Sequence, residues 1–325
     1  MIGKTFSHYQ IVGRLGAGGM GIVYEARDDR LGRSVALKFV PDSVEEDETT
    51  LHRLRAEART ASLLSHPNIC TVYDIDESEG RPFIVMELLR GESLRERLVS
   101  RPLRIHEVVE LAIQTADALD YAHANGVLHR DIKPANLILI ARGQVKIVDF
   151  GLAKLLQMQD SSGTRGLDLT ATGVTPGTVS YMSPEQISAH ELDGRSDIFS
   201  FGVVLYECAT GQKPFTGQPL VVLAAILNQT PPAPGTLNTE IPPRLQDLIL
   251  KCLEKDRELR YQSAGDLRAD LLRVKRDLES GRLNLSGIDQ SSASPSLATM
   301  ASVSQIPVVS QGAPPIAAAP DSTPS

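Results

Sequence analysis

His129-Arg130-Asp131-Ile132-Lys133-Pro134-Ala135-Asn136, followed shortly by Asp149-Phe150-Gly151, is the stretch whose reading decides the fold. It places a carboxylate with a lysine two residues on, then an amide and a second carboxylate, on two neighbouring loops. A base, a countercharge and two hard oxygen donors of the kind that share a divalent cation with water and phosphate make up the equipment of phosphoryl transfer.

Upstream, Leu15-Gly16-Ala17-Gly18-Gly19-Met20-Gly21-Ile22-Val23 carries a Gly-x-Gly-x-x-Gly-x-Val pattern, in which missing Cβ atoms let backbone N–H groups close over phosphate oxygens. Similar glycines serve a dinucleotide fold between a strand and a helix, or a plain hairpin. Here residues 22–26 continue as a strand and do not open a helix. In Val35-Ala36-Leu37-Lys38-Phe39-Val40, alternation puts Ala36, Lys38 and Val40 on one face and Val35, Leu37 and Phe39 on the other. Leu51, Leu54, Ala58, Ala61 and Leu64 recur at helical spacing, and Pro67 stops that helix near Ser65-His66. Glu57 falls on its apolar face, where a charge needs a partner, and Lys38 is the expected one.

Phe83-Ile84-Val85-Met86 reads as a further compact strand. Beyond Leu94 the pattern turns helical. Val108, Leu111, Ala112, Thr115, Ala118, Leu119 and Ala122 form one buried face, residues 198–209 are apolar nearly all round, and two amphipathic helices follow on Leu245, Leu248, Ile249, Cys252 and on Leu267, Leu271, Val274, Leu278.

Taken in this order, the motifs resemble the eukaryotic-like (Hanks-type) protein kinases, and the chain is identified as a member of their bacterial serine/threonine branch. The resemblance runs over residues 9–278. It implies an α+β, bilobal protein-kinase fold: a domain over 9–280, with a small β-rich N-lobe (about 9–87) bearing one helix and a larger, mainly α C-lobe (about 91–280).

The family's roles carry over residue by residue. Asp131 is expected to accept the proton of the substrate hydroxyl, Lys133 to steady the transferring group, and Asn136 and Asp149 to hold magnesium, with manganese as an alternative. ATP would lie under Leu15, Gly16, Ala17, Gly18, Gly19, Met20, Gly21 and Val23, with Ala36 roofing the adenine, Lys38 at the α and β phosphates and Glu57 pairing that lysine. Met86, Glu87, Leu89 and Ile138 complete the pocket, and Met86 partly blocks its rear.

The Lys133-Pro134-Ala135-Asn136 ending resembles kinases of serine and threonine. Gly177-Thr178-Val179-Ser180-Tyr181-Met182-Ser183-Pro184-Glu185 resembles the segment that receives the protein substrate, with Thr178 near Asp131 and Lys133. Ser183 in place of the commoner alanine reads as a mild change, and Phe199 stands where tryptophan is usual. Arg260 is expected to pair with Glu185, while His129 reads as a packed loop histidine rather than a base. Thr170 and Thr172 resemble the paired threonines that such enzymes autophosphorylate through a transient homodimer; phosphate there would order the loop against Arg130.

A nucleotide-binding pseudokinase or scaffold is the alternative, but it would normally lack one of Lys38, Asp131, Asn136 or Asp149. A small-molecule phosphotransferase would lack the threonine-bearing loop and the Ser183-Pro184-Glu185 anchor.

Composition agrees with a globular enzyme. The chain has 325 residues, 42% of them hydrophobic, and a net charge of -7 without any basic cluster, which argues against nucleic acid or an anionic membrane as the main partner. Cys70, Cys208 and Cys252 lie far apart with no metal or disulfide spacing. No apolar run reaches membrane-spanning or signal-peptide length, so a cytoplasmic location is expected. Residues 284–325, rich in Ser, Pro and Ala, read as a disordered tail.

Overall fold

The computed structural model describes residues 1–18, 21–40, 48–150 and 179–281; side chains at 48–51, 53, 54 and 57 lie outside that description. Residues 1–284 form one compact unit. The tail reading at 284–325 falls outside the described residues.

The first part of the chain is a six-stranded antiparallel sheet. Its strands are β1 (Thr5–Phe6), β2 (Tyr9–Gly18), β3 (Gly21–Asp28), β4 (Arg33–Phe39), β5 (Val72–Ser78) and β6 (Arg81–Glu87), in the order β1-β2-β3-β4-β6-β5. Between β4 and β5 lies α1 (Glu48–Ser62).

The period-2 pattern of β4 sorts its residues into two cores. Val35, Leu37 and Phe39 join Phe6, Tyr9 and Phe83 on one face, where Phe39 and Phe83 ring centroids are 5.3 Å apart. On the other, Ala36 and Val40 join Ala58 of α1 with Cys70, Ile84 and Met86. Each fully buried large side chain in such a core contributes about 1.5–3 kcal/mol. The helix expected to reach Ser65-His66 ends at Ser62, because Leu63 and Leu64 already turn back on the carbonyls of Thr60 and Ala61 and tighten the last turn.

A second, three-stranded sheet of β7 (Gly91–Ser93), β8 (Leu137–Ile140) and β9 (Val145–Ile147) follows, with α2 (Leu94–Ser100) and α3 (Ile105–Ala124) between β7 and β8. The described residues from 179 to 281 are mainly helical: α4 (Pro184–Ile187), α5 (Gly194–Thr210), α6 (Pro219–Asn228), α7 (Pro234–Leu237), α8 (Pro243–Cys252) and α9 (Ala264–Glu279).

The all-round apolar pattern of α5 is explained by its position: thirteen of its seventeen residues are buried. Asp193 caps its start by accepting from Arg195 N–H, and Gly211 ends it in the left-handed conformation. Helix α8 packs so close that a Cβ on Gly202 would stand 2.6 Å from Cys252 Cβ.

The two sheets are joined through the backbone of residues 68–71. Asn68 and Cys70, in the segment between α1 and β5, exchange backbone hydrogen bonds with Ile147 of β9 at 2.9 and 2.8 Å, and Glu87 N–H donates to Thr71 O at 2.9 Å.

Candidate active site

Asp131, Asn136 and Asp149 converge where the loop after α3 meets the end of β9. Pro134–Asn136 forms a short 3-10 turn that brings Asn136 back onto Asp131. There the Asn136 amide nitrogen donates to the Asp131 carbonyl at 2.8 Å and to Asp131 Oδ2 at 3.1 Å. Lys133 Nζ lies 2.7 Å from the same Oδ2. Both contacts fall on one carboxylate oxygen, and the Asn136 amide, which donates through its nitrogen, has its Oδ1 as the atom able to serve a cation.

Asp149 comes from the other loop and adopts a left-handed backbone (φ 66°). Its Oδ1 is 2.8 Å from Lys38 Nζ, which reaches out of β4 and is itself almost fully buried. Phe150 packs edge-on against the His129 ring at 4.7 Å. His129 is fully buried. Its Nε2–H donates to Val148 O at 2.8 Å while Nδ1 accepts from Asp131 N–H at 3.2 Å, so both ring nitrogens are taken up in packing the loop.

Beneath this loop, the buried Asp197 of α5 gathers three donors: His129 N–H at 2.8 Å, Arg130 N–H at 2.7 Å and His123 Nε2 at 2.8 Å. Burial would raise its carboxyl, but the His123 hydrogen bond and charge, with the His129 backbone N–H, hold it below the usual carboxylate range.

Val23, Ala36, Met86 and Leu89 meet in one apolar cluster with Leu88 and Val148. Leu15 stands exposed on β2 and Ile138 half-buried on β8, outside that cluster. Met86 lines a cavity of about 20 Å³ together with Ala58, Ile69, Cys70, Ile84 and Phe150. At the turn between β2 and β3, Gly21 takes φ 110°, and a Cβ there would sit 1.9 Å from Phe39 O. Gly19, Met20, Thr170, Thr172, Thr178 and the Glu57 side chain lie outside the described residues.

Farther on, Arg260 and Glu185 form a buried two-pronged pair at 2.7 and 3.0 Å, and Ser196 Oγ adds a hydrogen bond to Glu185 at 2.7 Å. Ser183 proves more than a mild change. It caps α4 by accepting from Gln186 N–H at 3.3 Å, while Ser183 N–H donates to Gln186 Oε1 at 2.9 Å.

Two contacts escaped the sequence reading. Lys146 Nζ pairs with Glu87 Oε2 at 2.7 Å, tying β9 to the segment beside the apolar cluster of Ala36 and Met86. A lysine between buried Val145 and Ile147 was a signal that it needed a partner. The second is the Gln186 side-chain amide, which donates to Arg130 O at 2.7 Å; a glutamine on a short helix carries no such signal.

Residues 9–270 match the model of the protein kinase domain family. The chain is 42% identical over 81% of its length to a probable serine/threonine-protein kinase of Streptomyces coelicolor (SCO3848), 38% over 82% to PknB of Mycolicibacterium smegmatis, and 40% over 81% to PknA of Mycobacterium tuberculosis. It spans 39%, 43% and 61% of those relatives' own lengths. The crystal structure of the M. tuberculosis PknI kinase domain superposes with a TM-score of 0.66 at 25% identity, covering 86% of this chain and 99% of that one. A carboxylate braced by lysine and asparagine, a second carboxylate against a strand lysine, and this match over most of the chain lead to one assignment: the chain belongs to the protein kinase family, in its bacterial Hanks-type serine/threonine branch.

Proposed function

We propose that this chain transfers the γ-phosphoryl group of ATP to serine and threonine hydroxyls of proteins, as a non-specific serine/threonine protein kinase. The observation that carries the reading is the Asp131 carboxylate, held through Oδ2 by Lys133 and Asn136, with Asn136 O accepting from Val148 N–H at 3.0 Å beside the Asp149–Lys38 pair.

Asp131 Oδ1 orients the acceptor hydroxyl and takes its proton. Lys133, already at the carboxylate, screens charge on the transferring group, and Lys38 is placed to meet nucleotide phosphates. Val23, Ala36, Met86 and Leu89 supply an apolar slot of the kind that takes a purine.

The donor set fits magnesium. Asn136 Oδ1 and the Asp149 carboxylate are hard oxygens, and among the described residues no three acidic, histidine or cysteine side chains form a closed cage. A cation held here would complete its shell with water and phosphate oxygens. When bound, magnesium, or manganese in its place, neutralises charge on the phosphates.

The same reading takes residues 9–280 as the catalytic domain and 284–325 as a tail. It also assigns Thr170 and Thr172 as autophosphorylation sites reached through a transient homodimer, and a cytoplasmic place of action. Among the described residues, no helix is long and apolar enough to cross a membrane.

The test is incorporation of labelled phosphate from ATP and magnesium into the chain and into a generic Ser/Thr protein substrate, with Asp131→Asn in parallel. We expect transfer in the parent and a loss of about 10³-fold or more in the variant. Nucleotide binding without transfer in the parent would replace the enzyme by a scaffold.

A further inference from the structure

Gln186 lies outside the residues that touch nucleotide or acceptor in the proposed reaction, yet its side chain reaches the loop that carries Asp131. Arg130, the residue before the base, has φ 69°, a left-handed conformation that L side chains rarely adopt and that its surroundings must hold. Three side chains hold it. Asp197 Oδ1 accepts from Arg130 N–H at 2.7 Å, His129 Nδ1 accepts from Asp131 N–H at 3.2 Å, and Gln186 Nε2 donates to Arg130 O at 2.7 Å. Thus both backbone polar groups of Arg130, and the amide of Asp131 itself, have fixed partners.

The direction of the Gln186 amide is determined. Its Oε1 accepts from Ser183 N–H at 2.9 Å, so a flipped amide would face an N–H with a donor and a carbonyl with an acceptor. Ser183 is fully buried, and the neighbouring Glu185 is fastened to Arg260, so α4 is a rigid mount. Of the three side chains, Asp197 and His129 hold the loop from the helical core and from within the loop, whereas Gln186 directly follows the segment, ending at Glu185, that resembles the substrate-receiving one.

We propose that Gln186 is a positioning residue for Asp131: it fixes the Arg130–Asp131 peptide from the substrate-receiving side and so sets the carboxylate's place relative to the acceptor hydroxyl. This rests on the kinase reading above. The Gln186 side chain touches neither the nucleotide cluster nor Lys38, so its loss acts on turnover and not on ATP affinity.

Steady-state kinetics on the full chain with ATP and a generic Ser/Thr substrate test it, using Gln186→Met, which keeps length but removes both polar ends, and Gln186→Glu, which sets a carboxylate against the Arg130 carbonyl. Ser263→Ala, which removes the N-cap of the distant α9, controls for simple loss of a helix cap. We expect kcat to fall about tenfold in Gln186→Met and further in Gln186→Glu, with KM for ATP within about twofold, while Ser263→Ala lowers Tm and leaves kcat unchanged. An unchanged kcat in both Gln186 variants overturns the proposal, as does a kcat loss that merely tracks the folded fraction in thermal melts. A parent that transfers no phosphate overturns the kinase reading and this proposal with it; an active parent matched by both variants overturns this proposal alone.

Discussion

Glu185→Gln removes one charge from the buried Glu185–Arg260 pair without changing its shape. The Arg260 side chain is 0% exposed and that of Glu185 7%. The guanidinium also donates to the carbonyls of Glu254, Lys255 and Arg195 at 2.7, 2.9 and 3.1 Å, so it cannot follow a weakened partner elsewhere. Breaking a buried pair from one side costs about 3–5 kcal/mol, because the remaining charge stays buried; glutamine keeps an acceptor for Arg260 and Ser196, which points to the lower end, about 3 kcal/mol.

In a domain of this size each kcal/mol moves Tm by about 2–4 °C, so the melt should shift down by about 6–12 °C at neutral pH. Burial would raise the Glu185 carboxyl, but the Arg260 hydrogen bonds and charge outweigh it and hold the group below its ordinary value of 4.5. Between the folded and unfolded values the unfolded chain binds the extra proton, so the pair's contribution is complete above the unfolded value and fades as pH falls through the folded one. Differential scanning calorimetry of parent and variant from about pH 4 to pH 8 should show the Tm gap widest above about pH 5 and narrowing in acid. A gap under about 2 °C at neutral pH would refute the argument that this pair is held by charge in a dry site.

Gly21→Ala should destabilise by about 1–3 kcal/mol and raise KM for ATP, because the new Cβ meets Phe39 O at 1.9 Å in a backbone with φ 110°; melts and kinetics read both. Asp197→Asn replaces an acceptor of three donors with an amide that must aim N–H at one of them, so kcat should fall at least about tenfold in a still-folded protein; a kcat within twofold of the parent would count against the clamp. Lys255, whose ammonium lies 4.1 Å from the Phe215 ring, is lowered to about 8 by burial and then by Arg260. The unfolded chain therefore holds its proton up to higher pH, stability rises with pH between about 8 and 10.5, and Lys255→Met should melt about 2 °C above the parent at pH 7 with a gap that closes by about pH 10.

Much of the site was legible because its residues sit close together in the chain. Asp131, Lys133 and Asn136 fall within one turn and the next, so type and spacing define their geometry, and the period-2 pattern of β4 told which face Lys38 would take. What stayed hidden depends on partners distant in sequence. Lys146 and Glu87 are 59 residues apart on two short strands, and nothing in either strand names the other. Gln186 reads as a surface amide until α4 is seen against Arg130, 56 residues earlier. Ser183 looked like a small exchange for alanine because a capping role depends on where the helix starts, which sequence reading places only to within a residue or two.

The hydrogen-bonded seam between residues 68–71 and β9 gives the cleft a spine like that of a book. Ile147 exchanges bonds with Asn68 and Cys70, Glu87 bonds to Thr71, and Lys146 pins Glu87 from below, all on the side away from the glycine-rich turn. Any swing of the sheet that keeps these bonds must pivot near them. The covers therefore part most at the turn around Gly21 and least at Met86; under the proposed function, nucleotide would enter and leave from that front edge while the apolar slot keeps its shape.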